Sequence, residues 1–196
     1  DFIPSFEAGM AENAPPVDAI ADGVDEPNFR NTIPALELSG RALDRVSSVF
    51  FLFSGADTNS EIQEIEREIV PRLTQHRMRI LQNQKLFKRV DALMDRRGDL
   101  GLTEEEGQVL ERYHRSFIKA GAKLDSAGKE RLARIAERAS SLATQFGQNV
   151  LADEQAFTLT LDDADLEGLP DSVRAAARQA ADERGQAGKH VITLSR

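Results

Sequence analysis

The chain has no cysteine among its 196 residues. No disulfide framework is therefore available, and every thiol mechanism is excluded. The same absence is compatible with a reducing compartment. Long hydrophobic runs are also missing: the densest apolar cluster, VFFLF, falls far short of the roughly 18 residues that a membrane-spanning helix requires. No signal-peptide pattern opens the chain. A glycine-rich phosphate loop, the G-x-S-x-G of a nucleophile elbow and the H-E-x-x-H of a zinc peptidase helix are all absent. Acidic residues outnumber basic ones by 33 to 25, a net charge of −8. Such a field repels phosphate backbones and anionic lipid, so neither nucleic acid nor membrane is expected as a partner.

What is present is helical periodicity. Hydrophobic residues make up 40% of the chain and charged ones 30%, a balance that suits one helical core at this length. Ile3, Phe6, Met10, Val17 and Ile20 share a stripe at helical spacing. The stripe keeps its phase across Pro15 and Pro16, which predicts one kinked helix rather than two. ADGVDEPNF reads as a loop. A second helix is expected to start near Asn31 and Thr32 and to bury Ile33, Leu36, Leu43, Val46, Phe50 and Phe53. A third carries Ile62, Ile65, Ile69, Leu73, His76 and Ile80, bent at Pro71, and LFKRVDALMDRR gives a shorter fourth. Thr103 and Glu106 form a capping-box pattern ahead of Leu110, Tyr113, Phe117, Ala120 and Leu124, with Gly121 inside that helix allowing close approach.

Ser126 then caps a helix whose Leu132, Ile135, Ala139, Leu142, Phe146 and Val150 recur in coiled-coil steps. These last two helices are expected to form an antiparallel hairpin. AFTLTL alternates as a strand, DSVRAAARQAADE is a short helix, and HVITL is a second strand. The fold class is therefore mostly α: an antiparallel helical bundle of long amphipathic helices, with a small C-terminal β element of two short strands and a short helix. The expected division is a helical bundle at 1–154 and the start of an α/β appendage at 155–196. The opening at Asp1 without methionine, and the end on a strand-like HVITLSR with nothing left to pair, suggest a piece of a longer polypeptide.

Candidate chemistry is thin. Glu111 and His114 are spaced for one helix face, but a di-iron bundle needs a second Glu-x-x-His and further glutamates; a surface hydrogen bond or ion pair is the reading preferred. A helical-bundle metal protein using that pair stays as the least favoured alternative. His76 lies in an apolar stripe with no acid at helical spacing and reads as a partly buried histidine. His190 precedes the last strand without a visible partner. The glutamates of EIQEIEREI alternate with buried isoleucines and read as a solvated face. The residues supply no complete catalytic set, no metal-ligand set and no cofactor-binding set.

The order of segments nevertheless resembles a known family. DFIPSFEAGM, DAIAD, PNFRNTIPALELSGRALDRVSSVFF, SGADTNSEIQEIERE, LFKRVDAL and RYHRSFIKAGAKL, followed by LATQFGQNVLADEQAFTL, LEGLPDSV and GKHVITL, resemble the N-terminal part of bacterial peptidyl-dipeptidases. These dipeptidyl carboxypeptidases fall within the thimet oligopeptidase and oligopeptidase A family of zinc metallopeptidases. The resemblance implies a mostly helical cytoplasmic enzyme built around a deep channel that admits short peptides and excludes folded proteins. It implies that the zinc ligands and the catalytic glutamate lie beyond this chain, so the chain itself holds no cofactor and the full-length enzyme holds zinc. The implied partners are the remaining, catalytic half of the same chain and short peptide substrates. The implied reaction is release of dipeptides from the free carboxyl end, with this segment forming a non-catalytic channel wall. Pro15 and Pro16 stand where relatives continue the first helix. The reading from a different class is an autonomous helical module that binds a partner between its helices.

Overall fold

A computed structural model describes residues 1–194. Two further residues, Ser195 and Arg196, end the strand-like HVITLSR and lie outside the described residues. The chain divides into two compact units, Asp1–Thr144 and the residues from Gln145 onward.

In the first unit, α1 (Phe2–Ala21) runs unbroken through Pro15 and Pro16. It is the spine of two separate cores. Near its start, Phe6 meets Phe50 of α3 (Arg41–Ala56) and Ile69 of α4 (Ser60–Leu81), all fully buried. Phe50 is enclosed by edge-on rings, with centroids 5.1 Å from Phe2 and 5.4 Å from Phe6. About three turns further along, Val17 joins a larger cluster with Ile33 of α2 (Phe29–Ser39), Leu86, Val90 and Leu93 of α5 (Gln84–Asp95), and Leu110 and Phe117 of α6 (Glu104–Lys119). Gly9 sits where α1 meets α3: a Cβ there would stand 3.0 Å from the Leu43 Cα. Only glycine lets the two backbones approach so closely.

The single second helix expected from the sequence is two helices, α2 and α3, joined at Gly40. Its cap is Asn28 rather than Asn31 or Thr32. The Asn28 side chain accepts from the Asn31 N–H, and the Asn31 side chain accepts from the Asn28 N–H, each at 2.9 Å. Asn31 is thus the reciprocal partner in a capping box. Phe53, placed in the buried face, is 45% exposed. The capping box of Thr103 and Glu106 forms as expected.

Helix α6 stops at Lys119, and Gly121 lies past its end at φ +86°. The Gly121 N–H donates to the Ile118 carbonyl and the Ala122 N–H to the Phe117 carbonyl, each at 3.0 Å. This is the paired closure by which a left-handed residue satisfies the last carbonyls of a helix. Gly121 is therefore a terminator, not an interior residue, and Leu124 lies beyond the helix, exposed. Alanine at Gly121 would place its Cβ 2.8 Å from methyls of both Leu124 and Leu132. With the left-handed backbone included, Gly121→Ala is expected to cost about 1–2 kcal/mol or more. A thermal melt unchanged in that variant would refute the assignment.

Helix α7 (Ser126–Ala156) is capped by Asp125, whose carboxylate accepts from the Gly128 N–H at 2.7 Å, not by Ser126. It carries no buried residue, and its part within the first unit, residues 126–144, does not pack along α6. The hairpin expected from their seam is not formed; Ile135, Leu142 and Phe146 are exposed instead.

In the second unit, β1 (Thr158–Leu161) pairs antiparallel with β2 (His190–Thr193), with Thr160 opposite Val191. Helix α8 (Asp171–Glu183) packs on β2, burying Ala177, Ala181 and Val191. The mostly α class with a small antiparallel C-terminal element matches the sequence expectation. No helix among the described residues is long and apolar enough to cross a membrane.

Candidate functional site

Glu111 and His114 do not converge. Glu111 reaches back to Arg97 at 3.4 Å and forward to Arg115 at 2.6 Å. The His114 ring lies against Phe87, and its Nε2 sits 2.8 Å from Oδ1 of Asp91 on α5. Each side chain thus has its own partner on a different neighbour, which is the packing reading of this pair. His190 is buried on β2, opposite Leu161 in the ladder. No group of three or more potential metal-ligating side chains lies close together among the described residues.

His76 belongs to a different setting. Its Nε2 is 2.7 Å from the Asn13 Oδ1. The Asn13 amide nitrogen donates to Ser39 Oγ at 3.0 Å, and the Ser39 hydroxyl donates to the Leu36 carbonyl at 2.7 Å. This chain of donors assigns the Asn13 oxygen to the histidine, so Nε2 carries the proton. Burial, reinforced by the nearby Arg79 guanidinium, holds the imidazole below its ordinary range. The ring is therefore neutral near neutral pH. A depressed histidine adds stability above its unfolded value near 6.5, and that contribution fades as pH falls below it. Stability of the wild-type chain is expected to drop more steeply between pH 6.5 and 5 than that of His76→Gln. Parallel denaturation midpoints across that range would overturn the assignment.

This relay lines one side of a groove of about 690 Å³ within the first unit. Its floor is apolar, from Val17 and Leu36 to Leu73 and Phe117. Its rim is polar: Arg77 comes from α4, Arg112 and Tyr113 from α6, Glu37 from α2 and Asp44 from α3. The Tyr113 hydroxyl donates to Glu37. Burial, then that bond, raises the phenol well above its usual range, so it stays a donor. The volume and the mix of apolar floor with a few polar groups fit a small-molecule or short-peptide site.

Sequence reading gave His76 only as a partly buried histidine, and it singled out none of Asn13, Ser39, Glu37 and the two arginines. Asn13 had a usable signal, a polar residue in phase with Phe6 and Val17. The others come from three helices, α2, α4 and α6, whose convergence no spacing encodes.

No protein-family model matches the chain. Individual relatives do. The chain is similar along nearly its whole length to bacterial oligopeptidases, among them the oligopeptidase A of Salmonella typhimurium strain LT2, at 24% identity over 193 residues. Within that class it is 40% identical over 194 residues to the dipeptidyl carboxypeptidase of Escherichia coli strain K12, and 36% identical over 194 residues to that of S. typhimurium. Each of these matches takes in 98% of this chain and 28% of the relative, so the chain spans little more than a quarter of their length. The resemblance read from the sequence is thereby borne out.

Proposed function

We propose that this chain is the N-terminal, non-catalytic part of a cytoplasmic zinc metallopeptidase that removes C-terminal dipeptides from short peptides, its helices forming part of the wall of the substrate channel. The observation that carries the reading is the 40% identity to a dipeptidyl carboxypeptidase across nearly all of this chain but only 28% of that protein. The sequence contains no H-E-x-x-H, and the described residues hold no cluster that fits a zinc ion. No step of hydrolysis is therefore assigned to any residue here; the metal and its proton-handling carboxylate belong to polypeptide outside this chain. A wall contributes selection of substrate and exclusion of water rather than bond making.

The unpartnered apolar faces support the same reading. Helix α3 is apolar beyond its core stripe, with Leu52 67% exposed, and α7 presents Phe146 at 71%. A helix apolar on more than one face is a helix meant to be covered. In this reading the remainder of the same polypeptide covers them. The same faces are what an autonomous partner-binding module would use, and that is the second reading. The experiment is a dipeptide-release assay on the isolated chain supplied with zinc, beside a polypeptide extended through a downstream H-E-x-x-H. The expected result is release by the extended protein alone. Metal-dependent release by the isolated chain would overturn the proposal, and absence of any downstream motif would favour the module.

A further inference from the structure

Helix α7 starts where two helix–helix turns of the first unit touch. One is the turn from α4 into α5, at Gln82 and Asn83; the other leads from α6 into α7, Ala120 to Asp125. Hydrogen bonds tie them in both directions. The Gln82 side-chain amide donates to the Ala120 carbonyl at 3.0 Å and to the Lys129 carbonyl at 3.1 Å. In return the Lys129 ammonium donates to the Gln82 carbonyl at 3.4 Å and to the Gln84 Oε1 at 2.7 Å. Gln82 and Ala120 are the residues that end α4 and α6, where backbone carbonyls have no partner inside the helix. Each turn thus satisfies an acceptor of the other. Past this root α7 is held loosely. A Leu132 methyl lies over Gly121, but no residue of α7 is buried and no helix of the first unit packs along residues 126–144.

We propose that Gln82 and Lys129 form a latch that fixes the direction in which α7 leaves the first unit, and that α7 pivots at the Ala120–Asp125 turn when the latch opens. One amide has two N–H bonds, and both are engaged here, one by the end of α6 and one by the first turn of α7. A rod held at its root magnifies any change there. At a rise of about 1.5 Å per residue, residue 143 stands roughly 20 Å along the helix from Lys129, so a turn of about 20° moves it by about 7 Å. In the peptidase reading, polypeptide outside this chain covers the exposed Ile135 and Leu142 of this arm. An arm already set in one direction meets that partner with less freedom to lose than one that swings. That use of the arm rests on the peptidase reading; the latch itself does not.

The test is a distance measurement between paired spin labels. The chain has no cysteine, so two introduced ones are labelled without ambiguity. Q108C on α6 with A143C on α7 reports the arm, and K88C on α5 with Q108C reports the body beneath it; all three positions are exposed. With the latch intact, the arm distance is expected as one narrow distribution. Q82M removes both amide donors at similar bulk, and K129M removes the ammonium. Each is expected to widen the arm distribution about twofold or more, as local opening without global unfolding, and to leave the body distance unchanged. Far-UV circular dichroism checks that both variants are folded. A wide arm distribution with the latch intact would overturn the proposal, as would a narrow one in both variants. So would a body distance that widens in step with the arm, the mark of general loosening. Each of those results leaves dipeptide release by the extended protein untouched, so failure of the latch and failure of the peptidase reading are separable.

Discussion

Replacing Phe117 by alanine is expected to destabilise the first unit by about 3–5 kcal/mol, the usual range for a buried phenylalanine. The ring is 1% exposed, lies 6.0 Å from Phe87, and belongs to the cluster that joins α1, α2, α5 and α6. The helices around the ring are held by their caps, α5 at its start and α6 at both ends. Asn83 and Thr103 cap their starts, and Gly121 closes α6. The midpoint of thermal unfolding should fall by roughly 10 °C. Phe50→Ala should act with similar size through the other cluster, and because the two clusters share no buried residue the double variant should be additive to within about 0.5 kcal/mol. A melt of Phe117→Ala indistinguishable from wild type would refute the core assignment, and strong coupling with Phe50→Ala would refute the division into two cores.

Arg89→Leu is expected to cost about 2–4 kcal/mol and to loosen the segment between α1 and α2. The guanidinium is buried, yet no carboxylate among the described residues pairs with it. It donates instead to the backbone carbonyls of Gly23 and Asp25 at 2.9 and 3.0 Å, and to the Asn31 side chain at 3.2 Å. Neighbours on α5 and just past its end extend the clamp: Lys85 holds Asp22 at 2.5 Å, and Arg96 binds Glu26 and the Pro27 carbonyl. Hydrogen bonds to a charged group are worth more than neutral ones, and the figure is reduced because the exposed loop carbonyls can turn to water. Leucine keeps the bulk and removes the donors, so the loss is read as hydrogen bonding rather than cavity. Faster amide exchange or proteolysis confined to residues 22–28 is the signature that separates this from general unfolding. Arg89→Lys should recover part of the stability but not the protection, since one ammonium cannot reproduce the forked contacts. Equal protection of that loop in wild type and Arg89→Leu would sink the account.

Much of the fold was legible because helices announce themselves locally. The stripe of Phe6 and Val17, the box of Thr103 and Glu106, and the alternation of TLTL are all short-range patterns, and each stands in the structure. The failures have equally local causes. Gly40 breaks a stripe that stays in phase across it, so hydrophobic period alone joined α2 to α3. Asn31 looked like a cap because it is half of one, with Asn28 the other half. The seam of α7 repeats at the spacing of a packed coil, but period specifies that a face is apolar and not which surface covers it. The groove was less legible still, since its charges come from four helices and acquire meaning only when a floor is placed between them.

The sequence by itself determined the helical class, the absence of thiol chemistry, the lack of an H-E-x-x-H helix and the kinship with peptidases, because each of these is written in neighbouring residues or in their order along the chain. Only the tertiary structure decided that Glu111 and His114 part to separate neighbours, that α1 threads two cores, and that Arg77, Arg112 and Asp44 face one apolar hollow. Those are statements about residues far apart in the chain, and distance along a polypeptide carries no record of which side chains folding will bring together.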